Sequence, residues 1–160
     1  MRTIPVNLYT FGELSDKAKE KALQELYFAA EYPWHDENHG TLKAIKKAFK
    51  LERFDWGYDV CGSWFCFEVP HDLKQGMGKK AINRLFDIYL NDGFWLTEFF
   101  KSDFMTAFET HGDIKQSLNV AIGGVIKACQ KDMEEYFSEE NLAEHATANE
   151  YEFNEDGNLA

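Results

Sequence analysis

The stretch that most restricts how this chain can fold runs from Ile114 to Phe137. There Leu118, Ala121, Ile122, Val125, Ile126, Cys129, Met133 and Phe137 recur on adjoining helical turns, which predicts one long helix with a single buried stripe. Gly123-Gly124 interrupts it at a cost of about 1 kcal/mol per glycine relative to alanine. Such a pair either kinks a helix or lets another backbone come close.

The flanking sequence reads as further helices and a few strands. Residues 2–10 alternate around Ile4, Val6, Leu8 and Thr10 and predict a first strand, with Pro5 marking an edge or a bulge. Ser15 is a good N-cap for a helix from about Asp16 to Ala30, striped by Leu14, Ala18, Ala22, Leu23, Leu26 and Ala30. Pro33 ends it. A second helix follows from about His35 to Lys50, burying Leu42, Ile45, Ala48 and Phe49 and turning Lys43, Lys46, Lys47 and Lys50 outward. Arg53 to Pro70 reads as a β-hairpin with Cys61-Gly62-Ser63 at its turn. Beyond the Gly76/Gly78 loop, Ala81, Ile82, Leu85, Phe86, Ile88 and Tyr89 mark a third helix, and Phe99, Phe100, Phe104 and Phe108 a fourth, from about Trp95 to Thr110. After the long helix, Ser138 caps a short acidic helix through about Ala148, and Tyr151 and Phe153 read as a last strand. The expected fold is α+β in one domain, residues 1–160: a small antiparallel sheet of the N-terminal strand, the 53–70 hairpin and the C-terminal strand, packed against several helices.

Charge is distributed unevenly along this pattern. The chain has 160 residues, 28 acidic and 17 basic, for a net charge of -11. Asp132 to Ala160 holds ten carboxylates and no lysine or arginine, so the segment before it is close to neutral. A single-sign field of this kind repels nucleic acid and anionic membrane and attracts basic proteins, including those whose grooves hold nucleic acid. Aromatic side chains Tyr136, Phe137, Tyr151 and Phe153 are interleaved with the carboxylates on predicted elements, so their spacing is fixed. No direct binding of nucleic acid by the lysine-bearing helix face is expected. There is no apolar run of the roughly 20 residues a membrane span requires. The N-terminus lacks the pattern of a secretory signal, and the odd cysteine count, Cys61, Cys66 and Cys129, points to reduced thiols in a cytosol-like compartment.

Motifs for chemistry are sparse. His35 and His39 stand at i and i+4, the spacing of zinc hydrolases, but Asp36 stands where their general base is glutamate, and no motif supplies a third ligand. A solvated or capping role is the simpler reading, with a metal-dependent hydrolase as the alternative. The cysteines read as buried structural thiols, and Gly76-Met77-Gly78-Lys79-Lys80 lacks the spacing of a phosphate loop. No cofactor is expected.

Three stretches, Val6 to Ala22, Phe54 to Tyr58 and Tyr151 to Gly157, resemble a family of small phage and mobile-element proteins often labelled as antitoxins of toxin–antitoxin stability systems. They cover under a quarter of the chain and carry no catalytic residue. The resemblance implies a protein that binds and neutralises another, and a phage setting makes an anti-CRISPR-type inhibitor an equal reading. Taken with the charge, the expectation is a non-enzymatic inhibitor acting in the bacterial cytoplasm. Its target is a basic nuclease, nuclease complex or toxin. The expected contacts are Glu134, Glu135, Glu139, Glu140 and Glu144, with Tyr136 or Tyr151 as an aromatic anchor.

Overall fold

The computed structural model describes residues 7–74 and 76–160, which form seven α-helices, a 3-10 turn and four short strands, an α+β fold. The chain divides into two compact units: Met1–Tyr32 with Glu134–Ala160, and Pro33–Met133. Of the predicted N-terminal strand only Tyr9–Thr10 is strand; Asn7 and Leu8 are exposed and irregular, and residues 1–6 lie outside the described residues.

The first unit joins the two ends of the chain. Strand β1 (Tyr9–Thr10) leads through the 3-10 turn Phe11–Glu13 into α1 (Asp16–Ala29); the chain re-enters at the last turn of α6 (Ile114–Tyr136) and continues into α7 (Glu139–Ala148) and β4 (Glu152–Phe153). Both predicted caps form: the hydroxyl of Ser15 accepts from the Ala18 N–H at 3.3 Å and that of Ser138 from the Asn141 N–H at 3.2 Å. Antiparallel β1 and β4 pair Tyr9 with Phe153 and Thr10 with Glu152. Between the helices lies a small core of Leu14, Ala18, Ala22, Leu26, Leu142, Ala146 and Phe153. The alanines bring α1 and α7 close together, and Phe153 fills the end of the layer, with Phe11 edge-on to its ring at 6.2 Å. A closing loop follows, in which the Asn154 side-chain oxygen accepts from the N–H groups of Asp156 and Asn158, each at 3.0 Å. Gly157, buried with φ +86°, lies so close to α1 that an added methyl would fall on the Ala18 carbonyl.

The second unit holds α2 (His35–Ala48), the hairpin of β2 (Glu52–Asp59) and β3 (Gly62–Glu68), α3 (His71–Lys74), α4 (Lys79–Tyr89), α5 (Trp95–His111) and α6 up to Met133. Its centre is aromatic: Phe49 lies 5.1 Å from Phe104, and Phe86 meets Phe104 edge-on at 5.7 Å, among Leu42, Ile45, Leu118, Ile122 and Ile126. Helix α6 is continuous through the glycine pair. What approaches there is side chains rather than a backbone, with Phe65 against Gly123 and Phe99 and Asp103 against Gly124.

The structure departs from the sequence reading in several places. The strands form two separate two-stranded sheets, β1 with β4 and β2 with β3, rather than one. The hairpin turns earlier, at Val60–Cys61, because the Asp59 carboxylate accepts from the N–H groups of Cys61 (2.6 Å) and Gly62 (3.0 Å) and closes the loop itself. A bulge in β2 places Arg53 at φ 46° and shifts the register by one residue before Asp55. Cys61 and Cys66 are exposed instead of buried, since Cys61 sits in the turn and Cys66 points away from the face shared by Phe65 and Phe67. Ala81 and Ile88 are also exposed, off the Ile82–Phe86 stripe that α4 buries.

Two glycine substitutions separate strain from propensity. Gly157→Ala should cost at least about 2 kcal/mol, adding a left-handed backbone penalty to the clash with Ala18. Gly123→Ala, whose methyl would meet Phe65 at 3.4 Å, an ordinary contact, should stabilise by about 1 kcal/mol. Urea denaturation of the two variants checks both signs.

Candidate protein-binding surface

Charge divides as the units do. Met1–Tyr32 with Glu134–Ala160 holds fourteen acidic and four basic side chains, a balance of -10, leaving fourteen against thirteen in Pro33–Met133. Nearly all of the net charge thus belongs to one compact body, including Glu13, Asp16, Glu20, Glu25 and Glu31 from the N-terminal segment, which linear reading does not connect with the acidic tail. Asp132, counted within that tail by sequence, belongs to the other unit.

The expected contact residues come together within the acidic unit. Glu134 and Glu135 lie on the last turn of α6, Glu139 and Glu140 on the first turn of α7, and Glu144 one turn further; all are exposed. Glu140 and Glu144 face away from Leu142 and Ala146, which α7 buries. Glu139 and Glu140 sit where the positive end of the α7 dipole favours them. The ion pairs Arg53–Glu68, Lys79–Glu109 and Lys101–Glu98 all belong to the other unit. Among the described residues, the carboxylates of Glu135, Glu139, Glu140 and Glu144 have no cationic partner.

Tyr136 and Tyr151 are half-buried and line one pocket rather than projecting from the surface. Tyr136 is held edge-on by Tyr32 at 5.7 Å and by Phe137 at 5.1 Å, and its carbonyl accepts from the Asn141 side-chain amide at 2.8 Å. Tyr151 is placed by the end of α7. Glu150 takes the left-handed position at φ 52°, its N–H bonds to the Thr147 carbonyl and the Tyr151 N–H returns to the Ala146 carbonyl at 3.0 Å, a Schellman arrangement that usually employs glycine. The ring of Tyr151 then meets that of His145 at 5.9 Å.

The sequence reading misses the aromatic surface beside these groups. Phe28 is 76% exposed, and Tyr27 lies against both Phe28 (5.7 Å) and Phe137 (5.1 Å). A signal for it exists: Phe28 lies off the Ala18–Ala22–Leu26 stripe that α1 buries.

The histidine pair lies in the other unit. His35 and His39 have ring centroids 4.3 Å apart, and Trp56 and Tyr58 of the hairpin pack against them, with His39 to Trp56 at 5.5 Å and His35 to Tyr58 at 5.9 Å. His35 is exposed, as a solvated role requires, whereas His39 is half-buried among the rings and serves in packing. Neither is the N-cap of α2, which is Trp34. Among the described residues no group of three His, Cys, Asp or Glu side chains could hold a metal ion. Burial, then the neighbouring His35 and Lys43, holds the His39 pKa below its usual value, against an opposing effect of Asp36. Close by, burial pushes the Tyr58 hydroxyl up to about 12, and burial with the Asp132 charge pushes the Cys129 thiol up to about 12. Cys129 therefore stays a protonated, inert thiol.

The lowered His39 pKa fixes a sign. The unfolded chain takes up the proton first as pH falls, so the stability His39 contributes is complete above the ordinary histidine value of about 6.5 and is lost as pH drops through the lower folded value. The melting temperature of the native protein should fall between pH 7.5 and 5.5 by more than that of His39→Gln, and the difference between the two curves isolates this residue from the carboxylates.

Comparisons of the chain with family models, with curated proteins and with solved structures find no match.

Proposed function

We propose that this chain is a non-enzymatic inhibitor of phage type, an anti-CRISPR or other anti-defence protein or an antitoxin. In this reading it binds a basic bacterial nucleic-acid-handling protein through a surface that imitates nucleic acid. The observation that carries it is the concentration of a -10 balance in one compact unit, where Glu135, Glu139, Glu140 and Glu144 stand on helices without cationic partners among the described residues. A groove that binds phosphates does so with lysine and arginine, and a fixed array of carboxylates offers those cations the same charge. Phe28, Tyr27 and Phe137 add the apolar surface that a protein interface needs at its centre, where aromatic residues contribute most. No helix among the described residues is long and apolar enough to cross a membrane. Action in the bacterial cytoplasm, where such targets work, belongs to the same proposal. The histidine pair has no third ligand among the described residues, and no observation favours a hydrolase.

Charge reversal at Glu135, Glu139 and Glu140 should abolish binding to the target, and binding of the native protein should weaken steeply with salt. The same triple variant should melt within a few degrees of the native protein. Reversal at Glu139 and Glu140 loses a favourable dipole interaction and adds an unfavourable one, each about 0.3–1 kcal/mol, offset by the reversal at Glu135 near the negative end of α6 and by relief of repulsion within the unit. Phe28→Ala should weaken binding by at least about 1 kcal/mol without loss of stability, because its ring is exposed. Affinity capture from bacterial lysate with native and triple-variant protein, followed by titration of the captured nuclease or toxin, is the test. Equal binding by the folded triple variant rules the acidic surface out.

A further inference from the structure

We infer that the pocket between α1, α7 and the C-terminal strand segment receives an arginine side chain of the partner. This assignment rests on the inhibitory reading above. The cavity is about 240 Å³, and its floor is apolar, formed by Leu26 and Leu142, with Tyr136 and Tyr151 as aromatic walls and Glu31 and His145 at the rim. Both tyrosines are half-buried and line this cavity, so in this inference they receive a guest where the sequence suggested an inserted anchor. The aromatic residues expected to enter the partner instead form a receptacle for it.

Three features select the guest. The unit around the pocket has a balance of -10, so a cation is drawn to it. Two tyrosines in the lining favour a flat guanidinium, which stacks on aromatic rings, over a compact and strongly hydrated ammonium. The carboxylate of Glu31, exposed just beyond the end of α1, is placed to accept hydrogen bonds from that guanidinium while the guest's methylenes cover Leu26 and Leu142. The walls are formed in advance: the Tyr136 carbonyl is tied to Asn141, the Tyr151 N–H to Ala146, and the Leu159 N–H to the Glu25 carboxylate at 2.9 Å. Little side-chain freedom is then lost when the guest enters.

The test uses the full chain and a capped glycine-arginine-glycine peptide, with citrulline and lysine versions as controls, followed by aromatic NMR signals. The arginine peptide should give saturable shifts at Tyr136, Tyr151 and His145. The citrulline peptide should bind about tenfold more weakly, the lysine peptide should bind more weakly than arginine, and Glu31→Gln should cost about threefold. Ala29→Leu, which narrows the pocket from the exposed end of α1, should remove the shifts. Equal binding of citrulline or lysine, shifts confined to the outer face of α7, or no saturable shift at the three residues overturns the assignment. The triple charge variant keeps every pocket residue and should still give saturable shifts with the arginine peptide, with weaker binding because it removes part of the unit's negative balance. Failure of the peptide while that variant still loses the target removes the pocket and leaves the acidic surface. Peptide binding with target binding unaffected by charge reversal does the reverse.

Discussion

The acidic unit exists only because the two ends of the chain meet, and the pairing of Tyr9 with Phe153 is where they do so. Seven buried apolar side chains, three of them alanine, must hold fourteen carboxylates together against their mutual repulsion. Phe153, fully buried, supplies about 1.5–3 kcal/mol of that by removal from water. The rest is close approach: alanines let α1 and α7 pack tightly, Gly157 lets the closing loop rest on the Ala18 carbonyl, and the Glu25 carboxylate captures the Leu159 N–H. Closing such a long intervening segment costs little more than closing a shorter one, since the entropy grows only with the logarithm of length. Repulsion among these carboxylates adds to the conformational entropy that opposes the unit, and added salt relieves the repulsion.

The helices are legible in the sequence because their signals are local. Ser15 and Ser138 cap where hydroxyl caps are expected, which places the start of α7, and apolar stripes at helical spacing place α1, α5 and α6 within one or two residues of where they lie. The sheets are not legible in the same way. Alternation in residues 2–10 and 53–70 suggests strands, but nothing local says that Tyr9–Thr10 pairs with Glu152–Phe153 and the hairpin only with itself. The hairpin turn is misplaced by sequence because Gly62 draws the reading toward it, whereas the Asp59 carboxylate organises the turn and leaves Gly62 as the first residue of β3. The acidic tail is evident in sequence. Its union with Glu13, Asp16, Glu20, Glu25 and Glu31 depends on the contact between chain ends, and so does the pocket.

The two clusters of aromatic and imidazole groups show how surroundings decide what similar residues do. His35 and His39 face one another across 4.3 Å, and Trp56 and Tyr58 close in on them, so the rings of this cluster pack on one another. His145 and Tyr151 also meet ring to ring, but at the mouth of a cavity, with Tyr136 on the other wall and the Glu31 carboxylate nearby. The nearly balanced unit around the first pair provides no field to draw a charged guest. The second lies in a unit that does.

If the chain imitates nucleic acid as proposed, it needs both long-range attraction and a means of discriminating among basic targets. Carboxylates on α7 and the last turn of α6 provide attraction, but exposed charge pairs contribute little each and are screened by salt. Any basic surface would satisfy them. Discrimination has to come from groups that are desolvated on binding and fit only one geometry, and the acidic unit presents two: the exposed Phe28 with Tyr27, and the tyrosine-walled pocket. One projects and the other receives, so on the proposed reading a partner offers a recess and an arginine at matching positions as well as positive charge. In that proposal the net charge brings candidates to the surface, and these two features decide which of them stays.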